Sequence, residues 1–77
     1  MRSEPIILES AHRRGVSEED MLHALRWPVL NLQQADDMTM VIGPATDGTL
    51  IEVGLVHWHE ALVIAHAMRP ARDKYAR

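Results

Sequence analysis

The sequence predicts a single small α+β domain, with two short N-terminal helices packed on a four-stranded antiparallel meander and a basic C-terminal tail. Three observations support this fold class. The chain has 77 residues, 47% of them hydrophobic, which suits one globular domain. Apolar residues recur at helical spacing before Val29 and with a period of two after it. The segments between the predicted strands have hairpin lengths, so neighbouring strands are expected to run antiparallel.

The first helix is predicted over about residues 4–14. Ser3 is placed to cap it, Pro5 falls in the first turn, and Gly15 provides a left-handed exit. One face carries the residues expected to pack on the sheet: Ile6, Ile7, Ser10 and Ala11.

The second helix is predicted over about residues 17–26. Ser17 is a suitable N-cap, and Asp20 stands three residues later, as in a capping box. Pro28 disfavours helical geometry at the residue before it, so the helix is expected to end near Arg26. Its apolar stripe consists of Met21, Leu22 and Leu25.

Strand-like runs make up the rest of the predicted domain. Asp47-Gly48 is a turn signal, because glycine tolerates positive φ. The final segment, residues 69–77, is expected to be an extended arm or one helical turn. The four strands are predicted at about residues 29–34, 38–43, 50–57 and 62–68.

The charges are distributed unevenly along the chain. Eight Lys and Arg residues against 11 Asp and Glu give a net charge of −3, which argues against a strongly basic nucleic-acid binder. Between Trp27 and Met68, however, the chain has no Lys or Arg. The basic residues fall in two terminal blocks, namely Arg2, Arg13, Arg14 and Arg26, then Arg69, Arg72, Lys74 and Arg77.

Composition excludes several classes of protein. The chain has no cysteine, which removes disulfides, thiolate catalysis and iron–sulfur sites. It has no apolar run of membrane-spanning length and no secretory signal, so we expect a cytoplasmic protein with no membrane partner. The small core favours a homodimer or a bound partner. No cofactor is predicted.

Three of the five histidines suggest a metal site. His57 and His59 have the spacing of residues on one face of a strand, and His66 lies on the next predicted strand. The pair falls in a predicted hairpin turn, however, with Glu60 as the nearby carboxylate. We interpret this segment as a polar hairpin tip with an exposed Trp58, and predict no metal site.

The C-terminal segment carries the groups that metal-free RNA cleavage needs. Such cleavage requires a base for the 2′-hydroxyl proton, an acid for the leaving 5′-oxygen, and cations around the phosphate. His66 is suited to proton transfer near neutral pH, and arginine to bidentate phosphate contacts. The alternative is a hydrogen-bonded sheet histidine followed by a solvated basic tail. Both interpretations apply to the same residues after His66, namely Arg69, Arg72, Lys74 and Tyr75.

Glu52 interrupts the apolar run of the third predicted strand. Alternation places it on the face away from Ile51 and Val53, so we expect it to face solvent. The alternative is that it neighbours His66 or Arg69 across the sheet and orients a catalytic group.

Five short motifs, in their order along the chain, carry a resemblance to a known family. They are Arg13-Arg14-Gly15-Val16-Ser17-Glu18-Glu19-Asp20, Leu25-Arg26-Trp27-Pro28, Met40-Val41-Ile42-Gly43, Leu50-Ile51-Glu52-Val53-Gly54 and Ile64-Ala65-His66-Ala67-Met68-Arg69. With the basic tail, this organisation resembles small bacterial toxins of the BrnT type, within the RelE-like group of toxin–antitoxin ribonucleases. The likeness covers nearly all of the chain.

The resemblance implies a compact α+β fold, sequence-relaxed mRNA cleavage without metal, and a cognate antitoxin that covers the basic surface. The matching positions are the end of the first helix and the C-terminal strand with its tail. The net acidic charge departs from the usual basic character of such ribonucleases. The residues predicted to be catalytic are His66, Arg69, Arg72 and Tyr75, and those predicted to bind RNA are His12, Arg13, Arg14 and Lys74.

Two functions from different classes follow. The first is a toxin-like endoribonuclease that acts on RNA and is neutralised by its antitoxin. The second is a non-catalytic, homodimeric protein-interaction module of the same fold, which suits the acidic middle of the chain better than RNA does.

Overall fold

A five-stranded mixed sheet forms the centre of the computed structural model, which describes residues 5–34 and 37–75. The strand order is β1-β5-β4-β3-β2, with β1 parallel to β5 and all other neighbours antiparallel. In chain order the described elements are β1 (Ile6–Ile7), a 3₁₀ helix (Glu9–His12), α1 (Glu18–Arg26), β2 (Leu30–Gln33), β3 (Met38–Pro44), β4 (Leu50–Trp58), β5 (Ala61–Met68) and a second 3₁₀ helix (Asp73–Tyr75).

This architecture corrects the predicted fold class. The prediction of two helices packed on a four-stranded antiparallel meander is wrong. Within residues 5–14 of the predicted first helix, the chain forms β1 and the first 3₁₀ helix instead. β1 pairs with Val63 and Ile64, and the N–H of Leu8 donates to the carbonyl oxygen of Ile64 at 3.0 Å. Pairing with the edge of β5 therefore prevails over the local helical pattern, as the β-branched side chains of β1 favour. Residue 4 lies outside the described residues.

Helix α1 begins at the predicted cap. The Oγ of Ser17 accepts a hydrogen bond from the N–H of Asp20 at 3.1 Å. The Asp20 carboxylate in turn accepts from the backbone N–H and the hydroxyl of Thr46, at 2.9 and 2.7 Å. The start of α1 is thereby joined to the turn between β3 and β4.

One face of the sheet, called here the helix face, packs against α1 and the first 3₁₀ helix. At Gly43 the helix backbone approaches β3 so closely that a Cβ there would collide with the carbonyl group of Ala24. None of the helices in the described part of the chain is long and apolar enough to cross a membrane. The core on this face consists of Ala11, Val16, Met21, Ala24, Val41, Ala45, Ile51, Val53, Leu55, Ile64 and Ala67.

The opposite face, called here the tail face, carries the alternate residues of β4, among them Glu52. Ala71 and Arg72, which follow β5, cover part of it. Ala71 packs with Met40 and Ile42, and its N–H donates to the carbonyl oxygen of Leu50 at 2.8 Å. The predicted tail is therefore attached to the sheet where it follows β5.

Candidate active site

Glu52 is buried at the centre of the tail face, which corrects the expectation that it faces solvent. Its side chain has 0% exposure. It lies in the middle strand β4, where it pairs with Ile42 on one side and Met68 on the other. Neighbouring strands and the segment after β5 thus enclose the carboxylate.

Two residues from the C-terminal part of the chain form hydrogen bonds with this carboxylate. Arg72 donates its backbone N–H to Oε1 at 2.9 Å, its Nε to both oxygens at 3.1 Å, and its Nη2 to Oε2 at 2.7 Å. The Nε2 of His66 lies 2.9 Å from Oε2. Every buried side-chain nitrogen and oxygen in the described residues has a hydrogen-bond partner. Glu52 is therefore a buried charge with its donors in place.

The contacts favour the ionised form of Glu52. Burial acts to raise its pKa, but the hydrogen bonds from Arg72 and His66 act more strongly, and the pKa lies below its usual value. A carboxylate only accepts hydrogen bonds, so Nε2 of His66 is the donor. In the neutral imidazole, Nδ1 is then the proton acceptor, on a side chain that is 24% exposed.

A β-bulge and a glycine set the position of His66. The register between β4 and β5 shifts after Gly54, which lies opposite His66. A Cβ on Gly54 would come within 3.1 Å of the His66 Cβ and 2.9 Å of the Met38 sulfur. Glycine at this position therefore leaves room for the imidazole to lie beside β4 and reach Glu52.

Arg69 lies in a separate ion cluster. Its Nη2 is 2.6 Å from Asp47 Oδ2 and 3.3 Å from the Thr49 hydroxyl, and its Nη1 is 3.6 Å from Asp20 Oδ2. The hydrogen bond from the Thr49 backbone, together with that from Arg69, lowers the pKa of Asp47 to about 2. The same ion pair raises the pKa of Arg69. The cluster joins the end of β5 to α1 and the β3–β4 turn, and shares no hydrogen-bonding residue with the contacts described for Glu52.

The N-terminal basic residues follow an element that packs on the helix face, whereas His66 pairs with Gly54 on the tail face. Arg13 and Arg14 are exposed and follow the 3₁₀ helix whose Ala11 is part of the core on the helix face. His12 lies 3.1 Å from the Glu18 carboxylate. The structure thus brings His66 and Arg72 together through Glu52, and places the predicted RNA-binding residues of the first block elsewhere.

The remaining predicted site residues follow Arg72 closely. Lys74 is exposed in the second 3₁₀ helix, which ends at Tyr75. The side chain of Tyr75 lies outside the described part of the structure. Both positions are within three residues of Arg72 along the chain.

The histidines of the β4–β5 hairpin are exposed. His57 is near the end of β4, and His59 occupies the turn with a φ of 57°. Among the residues described, no group of three or more His, Cys, Asp or Glu side chains is arranged to hold a metal ion.

Comparisons with known protein families, curated protein sequences and solved structures give no match. These comparisons therefore transfer no role to any residue of the chain. The functional interpretation depends on the geometry around Glu52, His66 and Arg72.

The burial of Glu52 is what the preferred sequence interpretation missed, although its position beside His66 was the stated alternative. A signal was present, because Glu52 is a charged residue within the apolar run of a strand predicted to be internal. A carboxylate in that position indicates a buried, paired charge when a basic segment follows the neighbouring strand.

Proposed function

We propose that the protein is a toxin-like endoribonuclease that cleaves mRNA in the cytoplasm and is neutralised by a cognate antitoxin. The observation that carries the proposal is a buried carboxylate, Glu52, that holds a partly exposed His66 beside the Arg72 guanidinium. The order of segments, which resembles toxins of the BrnT type, provides the substrate class and the antitoxin partner.

His66 performs the proton transfers in this reaction. Its Nδ1 takes the proton of a ribose 2′-hydroxyl, and the 2′-oxygen forms a bond to the adjacent phosphorus while the bond from phosphorus to the 5′-oxygen breaks. The proton held at Nδ1 then moves to the departing 5′-oxygen. The products are a 2′,3′-cyclic phosphate and a 5′-hydroxyl, and His66 returns to its neutral form.

Glu52 and Arg72 have different parts in this mechanism. Glu52 is a positioning residue, because its hydrogen bond fixes the ring and stabilises the imidazolium formed when Nδ1 takes a proton. The Arg72 side chain is 40% exposed, so its positive charge lies at the surface where charge develops on the phosphate. Arg69 is a structural residue in this proposal, whereas Arg13, Arg14 and Lys74 remain candidates for distant phosphate contacts.

The test is cleavage of an unstructured fluorescent RNA by the purified protein in the presence of a chelator. We expect cyclic-phosphate products from RNA and no cleavage of the DNA of matching sequence, which lacks the attacking hydroxyl. His66→Ala is expected to reduce the rate at least about 100-fold, as for loss of a general acid–base group. Glu52→Gln is expected to change the pH profile of the rate, because the fixed negative charge beside the imidazole is lost.

The matched control is His57→Ala, which removes an exposed histidine from the same sheet and is expected to leave the rate unchanged. The variants must keep the wild-type circular dichroism spectrum. Folded wild-type protein that leaves RNA intact, or a His66→Ala variant with the wild-type rate, would contradict the proposal.

A second candidate is the non-catalytic homodimeric module. It is favoured by exposed apolar side chains where α1 leads into β2, namely Trp27 and Val29. Light scattering of the purified chain at micromolar concentration distinguishes the two. A dimer that lacks ribonuclease activity supports this candidate, and a monomer at all concentrations eliminates it.

A further inference from the structure

The tip of the β4–β5 hairpin carries the most exposed large apolar side chain in the described residues, Trp58, with 64% exposure. His59 contacts the indole edge-on, with the ring centroids 4.5 Å apart and the planes at 66°. This contact orients the indole but leaves most of its surface to solvent. An amphipathic ring held in this way provides a flat surface for another planar group.

Trp58 and His66 are on the same face of the sheet. Residues 52, 54, 56 and 58 of β4 share the tail face, because side chains alternate along a strand. Gly54 pairs with His66, and Trp58 is four residues further along the strand. At about 3.3 Å per residue, the two positions are about 13 Å apart along β4.

The surface between these two positions is apolar. Gly54 has no side chain, the sulfur of Met38 lies over it, and the next pair across β4 and β5 on this face is Val56 and Val63. A stacked nucleic-acid strand advances about 3.4 Å per nucleotide, so a segment of about four nucleotides covers the distance, and fewer if it is extended. A strand whose scissile ribose lies at His66 therefore reaches Trp58 along the same face.

We infer that Trp58 is a base-stacking subsite for single-stranded RNA, a few nucleotides from the position where His66 acts. The inference rests on the proposed ribonuclease function and adds the means by which the substrate is held. Stacking on an indole is tolerant of sequence, because every base has a π-face.

The binding experiment uses the fluorescence of Trp58 itself. Trp27→Phe removes the other tryptophan and keeps an aromatic ring beside Arg26. Titration with a short 2′-O-methyl oligoadenylate, which lacks the attacking hydroxyl, is expected to quench the fluorescence of this variant to saturation. The same quenching is expected when His66→Ala is added, because stacking does not depend on the chemical step.

The kinetic experiment compares three substitutions of Trp58 with the wild type. Trp58→Ala and Trp58→Leu are expected to raise KM about tenfold with little change in kcat, whereas Trp58→Phe keeps a π-face and is expected to recover most of the loss. An apolar protein contact at Trp58 would instead treat leucine and phenylalanine alike. The exposure of Trp58 makes unfolding of these variants unexpected, and thermal melting checks it.

The outcomes separate this inference from the proposed function. RNA cleavage with an unchanged KM in Trp58→Ala, or with no quenching by the oligoadenylate, overturns the stacking subsite and leaves the ribonuclease proposal intact. Quenching without cleavage overturns the ribonuclease proposal and supports the subsite. The absence of both overturns both.

Discussion

The two faces of the sheet are held by different interactions, although they are built from alternate residues of the same strands. On the helix face, Ile51 and Val53 are buried by apolar contacts with α1 and the first 3₁₀ helix. On the tail face, Glu52 lies between them in sequence and is buried by an ion pair with Arg72. One face is therefore sensitive to shape, and the other to charge.

The two faces also differ in what they provide: the helix face provides close packing, and the tail face provides the candidate active site. On the helix face the packing is so close that the backbone of α1 leaves no room for a Cβ at position 43. The tail face, by contrast, has a partly exposed histidine and arginine arranged around one carboxylate. Three predictions test this comparison.

The largest effect is expected from adding one methyl group to the helix face. In Gly43→Ala, the new Cβ meets the backbone of Ala24 and α1 must shift, so we expect the free energy of unfolding to fall by about 3 kcal/mol or more. In Gly54→Ala, the nearest atom belongs to the flexible side chain of Met38, and we expect a loss of about 1 kcal/mol or less. Chemical denaturation of the two variants measures both values. Equal losses of unfolding free energy in the two variants would show that the two faces tolerate an added methyl group equally well.

An intermediate effect is expected from removing the cation on the tail face. Arg72→Met leaves the buried carboxylate with His66 as its remaining side-chain donor in the described structure, so we expect a loss of about 3 kcal/mol. Urea unfolding measures it.

The matched control for this loss is the double variant Glu52→Leu/Arg72→Met. It removes the buried charge together with its partner, so we expect it to be more stable than Arg72→Met alone. Recovery should be partial, because the backbone N–H of Arg72 loses its acceptor. A double variant no more stable than the single one would show that the charge of Glu52 is not the cause of the loss.

The smallest effect on stability is expected from neutralising Asp47 in the Arg69 cluster, and its size depends on pH and salt. The pKa values of Asp20, Asp47 and Glu52 are all lowered in the folded protein, Asp47 to about 2. The unfolded chain therefore binds protons first as the pH falls, and stability that is complete above about pH 5 is lost progressively towards about pH 2.

The expected result is that Asp47→Asn flattens only part of this acid dependence. High salt should weaken the contribution of the exposed Asp47–Arg69 pair and leave that of buried Glu52 nearly unchanged. Urea midpoints at several pH values, at low and high salt, provide the measurement. An acid dependence that salt abolishes entirely would contradict the role of Glu52.

The sequence is informative where local signals agree with the tertiary structure. The cap at Ser17 places α1, and the change of period places the strands from β2 to β5, because hairpin-length links leave antiparallel pairing as the simplest arrangement. At residues 6–7 the helical pattern fails, since the outcome depends on hydrogen bonds from β5 that no local pattern contains.

The site was predictable in composition but not in arrangement. His66 and Arg72 are recognisable as candidates from residue type and order. Their pairing through Glu52, and the separation of Arg69 from them, depend on the register between β4 and β5, which a bulge shifts after Gly54. Sequence periodicity does not report such a shift.

The pairing of β1 with β5 imposes an order on folding. The Ser10 hydroxyl donates to the carbonyl oxygen of Ala65, a contact between residues 55 positions apart in the chain. During synthesis the N-terminal strand has no partner until β5 has been made, whereas β2, β3 and β4 can form hairpins earlier. Closing so long a loop is entropically costly and slows folding. The first residues of the described chain are thus expected to be among the last to acquire their native structure.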